Sequence, residues 1–374
     1  MKRNILSKLI MLVCVFSFVA CENATYSVIE NGIYISEAEN SNINKITVDD
    51  NGGVATITVR SGSFYDKDVH VNLGKATQDE LTMFNLHNGT AYKMLPDTCF
   101  SLSSTEVIVA KGMVSAPTVK VKVKPLGSKM IESGDKYVLP ISIVSSDESV
   151  HKPAKTMFYT IDQVIITSAP YLKGREINIE MDKKITTLPW TLEYRIWVEN
   201  LYSNNYAQSV SYWGAGSATE IYFRWGDANV PGNLIMIKTQ GGQFVSTKPA
   251  KSGQWYHHAW VHDGKTVKLY INGEFDTQMD SPGKISELEQ TLGLSCGKTA
   301  YMWSEWRFWS VARSQKQIKE NMFSVNPATE GLEVYLKLNE GHGKTFKDYA
   351  GKHNVKAEAN GDIVWKSGIR SDEQ

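Results

Sequence analysis

The sequence predicts an all-β protein built as two domains. Over most of the chain polar and apolar residues alternate with period two, as half-buried strands do, and clusters of Gly, Asn and Asp punctuate the alternation. At 374 residues the chain exceeds what one small core organises. Its ten tryptophans all lie at or after Trp190, and none falls in the first 189 residues. Two domains of different character account for that division.

The first 21 residues read as an export signal. Lys2, Arg3 and Lys8 form a positive start, and Leu9 to Ala20 an apolar run of twelve residues. Such a run is too short to cross a bilayer, which takes about twenty. It ends in Phe18-Val19-Ala20-Cys21, which resembles the lipobox of bacterial lipoproteins, with Phe18 where Leu is usual. The resemblance implies a lipid on Cys21 that anchors the mature chain to a membrane. Cys14 leaves with the signal. Cys99 and Cys296 fall in different expected domains, so both are expected as buried thiols and not as a disulfide.

Residues 25–165 form the first expected domain. Val54 to Val59 interleaves polar and apolar positions, and in Thr118 to Lys124 valines alternate with lysines, which places Val119, Val121 and Val123 on a core and the lysines in water. Asp49-Asp50-Asn51-Gly52-Gly53 supplies a turn. A short helix fits Asp79 to Asn85, before Asn88-Gly89-Thr90. An immunoglobulin-like β-sandwich satisfies this pattern. Three words, Asn31 to Ala38, Phe84 to Pro96 and Tyr137 to Ile141, resemble an N-terminal domain of unknown function on surface lipoproteins of polysaccharide-degrading gut bacteria. There it precedes endo-β-N-acetylglucosaminidase, laminin-G-like or other glycan-directed domains. The resemblance implies a spacer or adhesion module and brings no catalytic residues.

The second domain is expected over 170–370, after Thr167-Ser168-Ala169-Pro170 breaks the pattern. Thr191 to Val198 sets Leu192, Tyr194, Ile196 and Val198 on one face and Thr191, Glu193, Arg195 and Trp197 on the other. Asp263-Gly264-Lys265 and Asn272-Gly273 are turns, and Ser314-Gln315-Lys316-Gln317 opens a short helix with a capping box. Trp255 to Gly264 with Leu269 to Gly273, and Trp306 to Gly351, resemble the bacterial laminin-G-like, concanavalin A-like jelly roll.

Several groups are candidates for chemistry. Glu180-Met181-Asp182 is similar to the start of the strand motif of laminarinase-type glycosidases, which share that jelly roll. Residues two apart on a strand share a face about 6.6 Å apart. The third carboxylate is replaced by Lys183-Lys184, and retaining hydrolysis needs two carboxyl groups in defined roles. His257, His258 and His262 lie along a strand, too far apart to share a zinc ion. The laminin-G-like resemblance admits one Ca²⁺, with Asp227 as its best-placed ligand; no EF-hand spacing is present and no other cofactor is implied. Glu305 and Arg307 are expected in a cross-strand ion pair with Glu193 or Arg195.

Forty basic and forty acidic residues give a formal net charge of zero, so nothing favours nucleic acid or anionic headgroups as partner. Tryptophan carries the positive argument, because sugar rings stack their apolar faces on aromatic rings. Arg195, Trp197, Trp213, Trp225, Asp227, Tyr301 and Trp303 are the candidate ligand-binding residues. Together with the resemblances they imply an outer-membrane surface lipoprotein that binds glycan or glycoprotein without catalysis in a polysaccharide-utilisation system. A jelly-roll glycosidase and a protein-binding adhesin or structural subunit remain alternatives.

Overall fold

The computed structural model describes residues 32–201, 221–227, 229–239, 242–281, 286–295 and 299–372. Cys21, Trp213 and Cys296 lie outside the described residues. The described chain is all-β with short helices and divides into two compact units. One runs to Pro125 and resumes over Lys136–Asp162; the other joins Leu126–Asp135 to Gln163 and everything after it.

The first unit is a sandwich. One sheet orders the strands Ile43–Val48, Thr156–Gln163, Tyr137–Ser146, Val69–Lys75 and Glu106–Val109. The other orders Gly53–Ile57, Val119–Val123 and Phe100–Leu102. Val119, Val121 and Val123 are buried while Lys120 and Lys122 are exposed, as the alternation requires. The Tyr159 hydroxyl donates to the Thr56 carbonyl at 2.7 Å and ties the two sheets together. The expected helix spans Gln78–Asn88; Thr77 and Glu80 cap its first turn reciprocally, and Gly89 ends it in the left-handed region. Cys99 is half-buried, not fully buried as expected.

In the second unit an eight-stranded sheet carries the architecture. Its order is Glu274–Asp280, Thr266–Ile271, Trp255–His262, Trp190–Val198, Tyr301–Trp309, Ile166–Leu172 and Val364–Arg370, and Leu332–Leu336 also pairs with Tyr301–Trp309. A four-stranded sheet (Thr291–Leu294, Ile177–Glu180, Lys356–Ala359, Thr345–Phe346) and a three-stranded one (Ile221–Asp227, Val230–Thr239, Gly242–Val245) supply further core residues. Between these sheets lies an aromatic core. Tyr194 stacks on Phe223 with ring centroids 4.9 Å apart and accepts a hydrogen bond from Trp260 Nε1 at 2.9 Å. The segment Thr167 to Pro170, expected as an interruption, lies within the strand Ile166–Leu172; a bulge between Thr167 and Ala169 breaks its alternation but not its pairing with Val364–Arg370.

Candidate functional site

The opposite face of the eight-stranded sheet concentrates the chemistry. Glu193, Arg195 and Trp197 point to it from Trp190–Val198, as the alternation requires, but this face is not open to water. Glu193 is fully buried and Arg195 only 3% exposed. Two elements cover the face. The capped helix Gln315–Glu320 seats Ile318 against Ala259, Val261 and Tyr270, and Leu332–Leu336 brings Tyr335 over Arg307.

The buried charges form one web. Glu193 accepts from Arg307 Nη1 at 3.1 Å and from Arg313 Nη1 at 2.7 Å. Arg307 also donates to the Asn321 carbonyl at 2.7 Å and pairs with Glu305, which accepts a 2.6 Å hydrogen bond from the Tyr335 hydroxyl. The ion pair expected between Arg307 and Glu193 is thus present. Desolvation pulls the Arg307 guanidinium down, but Glu305, Tyr335 and Glu193 outweigh it and hold its pKa above the ordinary value. His257 lies beside this web, 3.9 Å from Glu193; burial and the Arg307 charge hold it neutral, its pKa well below 6.5.

Arg195 stands apart from these pairs. Its guanidinium lies over the rings of Trp255, 5.0 Å from the centroid, and Phe323, at 4.7 Å. Its Nη2 is buried without a hydrogen-bond partner. Desolvation lowers its pKa to about 10, partly opposed by Glu305. It borders a cleft of about 60 Å³ whose wall includes Ser304, Glu305, Phe323, Tyr335 and Lys337. The cleft follows from strand pairing. One edge of Tyr301–Trp309 pairs with Trp190–Val198, while the other changes partner, from Ile166–Leu172 at Tyr301 and Met302 to Leu332–Leu336 from Trp306 onward. Ser304 and Glu305 lie where the two partner strands part.

Next to this cleft runs a row of rings. Trp197 is in register with Trp255 on one side and Met302 on the other, and Met302 with Tyr171, so all four side chains share the face. Trp197, Trp255 and Tyr171 are half-buried. The Tyr171 and Trp197 centroids are 6.3 Å apart; the Tyr171 hydroxyl donates to Glu199 at 2.6 Å, and Lys366 Nζ lies 5.2 Å from the Tyr171 ring. Polar groups beside partly open rings are what a sugar face with its hydroxyls needs.

The remaining candidates divide sharply. Trp225, Tyr301 and Trp303 are not outward rings: they are at most 1% exposed and belong to the core. Trp303 packs edge-on to Tyr194 at 5.2 Å, and Trp225 lies 5.7 Å from His258. Glycine and polar neighbours in sequence disguised them, since strand neighbours point to opposite faces. Asp227 is half-buried and pairs with Arg224, which competes for its carboxylate. Among the described residues no group of three or more His, Cys, Asp or Glu is placed to hold a metal. His258 is buried between Tyr194, Tyr256 and Trp225, and His262 accepts from the Gly264 amide at 3.0 Å. Glu180 ends its strand, so Asp182 lies beyond it and the two do not project from one strand as expected. Glu180 shares its outward face with Asn178, Lys356 and Glu358 around an open hollow. A hydrogen bond from Lys344 holds Glu358 below the ordinary carboxyl range, the wrong direction for a general acid. Tyr171, Trp255, Phe323 and Lys337 were not singled out from sequence as site residues. For Tyr171 the missed signal was the strand hidden behind the bulge.

The chain is similar to known proteins. Residues 174–319 match the model of the concanavalin A-like lectin/glucanases superfamily, and residues 29–150 match a family model for an N-terminal domain. The C-terminal unit is a concanavalin A-like domain. A 1.50 Å crystal structure from Bacteroides ovatus, of a protein assigned as carbohydrate binding, is 26% identical over 90% of this chain and 97% of its own, with a TM-score of 0.58. A heptameric SAP-like pentraxin from Limulus polyphemus is 14% identical over 54% of this chain and 95% of its own, with a TM-score of 0.37. Bacteroides thetaiotamicron EndoBT-3987, solved with Man5GlcNAc product, is 16% identical over 35% of this chain and 30% of its own, with a TM-score of 0.27. No curated protein matches the chain.

Proposed function

We propose that this protein binds glycan, free or on a glycoprotein, through its concanavalin A-like domain and without catalysis, as a lipid-anchored component of the outer-membrane surface in a polysaccharide-utilisation system. The observation that carries the reading is the row Tyr171, Trp197 and Trp255, three partly open rings on one sheet face beside charged and hydroxyl groups. The carbohydrate-binding assignment of the Bacteroides ovatus relative supports it, as do the lipobox-like Ala20-Cys21 and the pairing of Glu358, beside Glu180, with Lys344.

The test is an array of purified glycans probed with residues 22–374, followed by Trp197→Ala. Losing one aromatic stack costs about 1–3 kcal/mol by analogy with bases on aromatic side chains, so affinity falls about tenfold or more while the melting temperature holds. Trp303→Ala, by contrast, removes a core ring and lowers stability. Unchanged binding in Trp197→Ala sinks the aromatic row as the site. Glycan hydrolysis by the wild type that Glu180→Gln abolishes overturns the non-catalytic reading.

A further inference from the structure

The charge balance of the sheet's covered face requires more than the chain supplies. Among the described residues the buried ionised side chains are Arg195, Arg307, Arg313 and Lys337 against Glu193 and Glu305. Four cations over two carboxylates leave two positive charges without a buried counter-charge. The pairing shows which two. Arg307 and Arg313 divide Glu193 and Glu305 between them. Lys337 donates to the Glu132 carbonyl at 3.1 Å and lies over the rings of Tyr349, 4.4 Å from its Nζ, and Tyr335, at 5.8 Å, without a salt bridge to either buried carboxylate. Arg195 finds two aromatic faces, and its buried Nη2 finds no acceptor. Both border the same cleft.

Burying a guanidinium nitrogen without an acceptor is costly, because the charge persists at any physiological pH and the Nη2 donors give up water. An acceptor that enters the cleft restores those hydrogen bonds, and a planar carboxylate matches the two-pronged donor edge of arginine best. At about 60 Å³ the cleft holds a carboxylate-sized group or a few waters and excludes a sugar ring. The ring attached to the carboxylate must therefore stay outside. Trp197 lies two residues from Arg195 on the same strand face, about 6.6 Å along it, and Trp255 touches the guanidinium itself.

We propose that this cleft is a carboxylate-binding subsite, with Arg195 as the primary donor and Lys337 as the second charge, so that the glycans recognised are acidic ones, carrying uronic or sialic acid. The substrate class rests on the glycan reading above; the carboxylate site does not. Glu305 fixes the size of the ligand's charge. Already committed to Arg307 and Tyr335, it repels an anion that reaches past Arg195, so one carboxylate fits better than a doubly charged phosphate.

The experiment titrates residues 22–374 with acetate, glucuronic acid, N-acetylneuraminic acid, the methyl ester of glucuronic acid, and glucose, by calorimetry and by arginine side-chain NMR. Expected is binding of the two acidic sugars with a shifted Arg195 Nε signal, and weakening by about ten- to a hundredfold on esterification, the loss of charge-assisted hydrogen bonds. Arg195→Met abolishes acid-sugar binding, and Arg195→Lys, which keeps the charge but not the fork, recovers only part of it. The ester comparison needs no variant, so it stands if Arg195→Met fails to fold. If acetate binds and no sugar does, the carboxylate site holds and the glycan reading falls. If array-positive neutral glycans bind wild type and Arg195→Met equally, the glycan reading holds and this one is overturned. Silence of the Arg195 signal towards every acid, with water alone in the cleft, also overturns it.

Discussion

Replacing Arg307 with Met tests whether the charge web is as dry as its geometry says. Arg307 is fully buried and serves both carboxylates at once, donating to Glu193 at 3.1 Å and pairing with Glu305. After substitution Glu193 keeps Arg313, 2.7 Å away, but Glu305 keeps only the Tyr335 hydroxyl. Breaking one side of a buried pair leaves an uncompensated charge and costs about 3–5 kcal/mol. For a unit of this size each kcal/mol moves the melting temperature by roughly 2–4 °C, so a fall of about 6–20 °C is expected. Urea unfolding followed by tryptophan emission reads the second unit selectively, because all ten tryptophans lie from Trp190 onward. The midpoint should fall with the slope unchanged. The control is Arg307→Met with Glu305→Gln, which removes both charges and should regain about half of the loss, since an uncharged pair no longer carries a buried carboxylate without its cation. A single variant that loses less than about 1 kcal/mol, or a double variant no better than the sum of the two singles, refutes a desolvated web.

Two further outcomes follow. Burial holds His258 at a pKa of about 3 in the fold, below the ordinary 6.5, so the unfolded chain takes up its proton first as the pH drops. His258 therefore costs no stability above about pH 6.5 and destabilises progressively between there and pH 3, by about 1.4 kcal/mol per pH unit or about 2 kcal/mol at pH 5; His258→Gln should flatten that part of the stability–pH curve, and parallel curves for the two proteins would contradict the assignment. Cys21→Ser should move the protein from the membrane to the soluble fraction and end palmitate incorporation, and a variant still labelled and membrane-bound would remove the anchor from the proposal.

The sequence pattern reached the fold more surely than the site, and the strand Trp190–Val198 shows why. Its alternation divides the side chains between two faces correctly: Leu192, Tyr194, Ile196 and Val198 all enter the core. It could not say that the polar face is also buried, because Glu193 and Arg195 read alike whether they face water or ion pairs beneath a helix. Covering that face takes Ile318 and Tyr335, about 120 to 140 residues further on, and period-two reasoning has no access to such separations. The same blindness promoted Trp225, Tyr301 and Trp303 to candidate rings. Conversely, Trp255 is not among the candidate rings, and only its register with Trp197 reveals a half-open ring on the same sheet face.

One feature of the site was written in the sequence in a form that could have been read. Tyr301 and Trp303 enter the core, and so do Trp306 and Phe308. Two odd positions are followed by two even ones, which a regular strand cannot bury on one face. The phase must therefore slip between Trp303 and Trp306, and it does: register with the Trp190–Val198 strand jumps there, and Glu305 takes a φ of 57°, a left-handed conformation uncommon outside glycine. Such a conformation costs of order 1–3 kcal/mol and persists only where its surroundings enforce it. Here the slip turns Arg307 onto the face of Glu193, where an unbroken strand would have driven it into the aromatic core. The strained residue is a glutamate because its carboxylate is what Arg307 and Tyr335 bind. Glycine would relax the backbone and leave a third buried cation unanswered. The bulge, the ion web and the cleft beside Arg195 are thus consequences of one misphased residue.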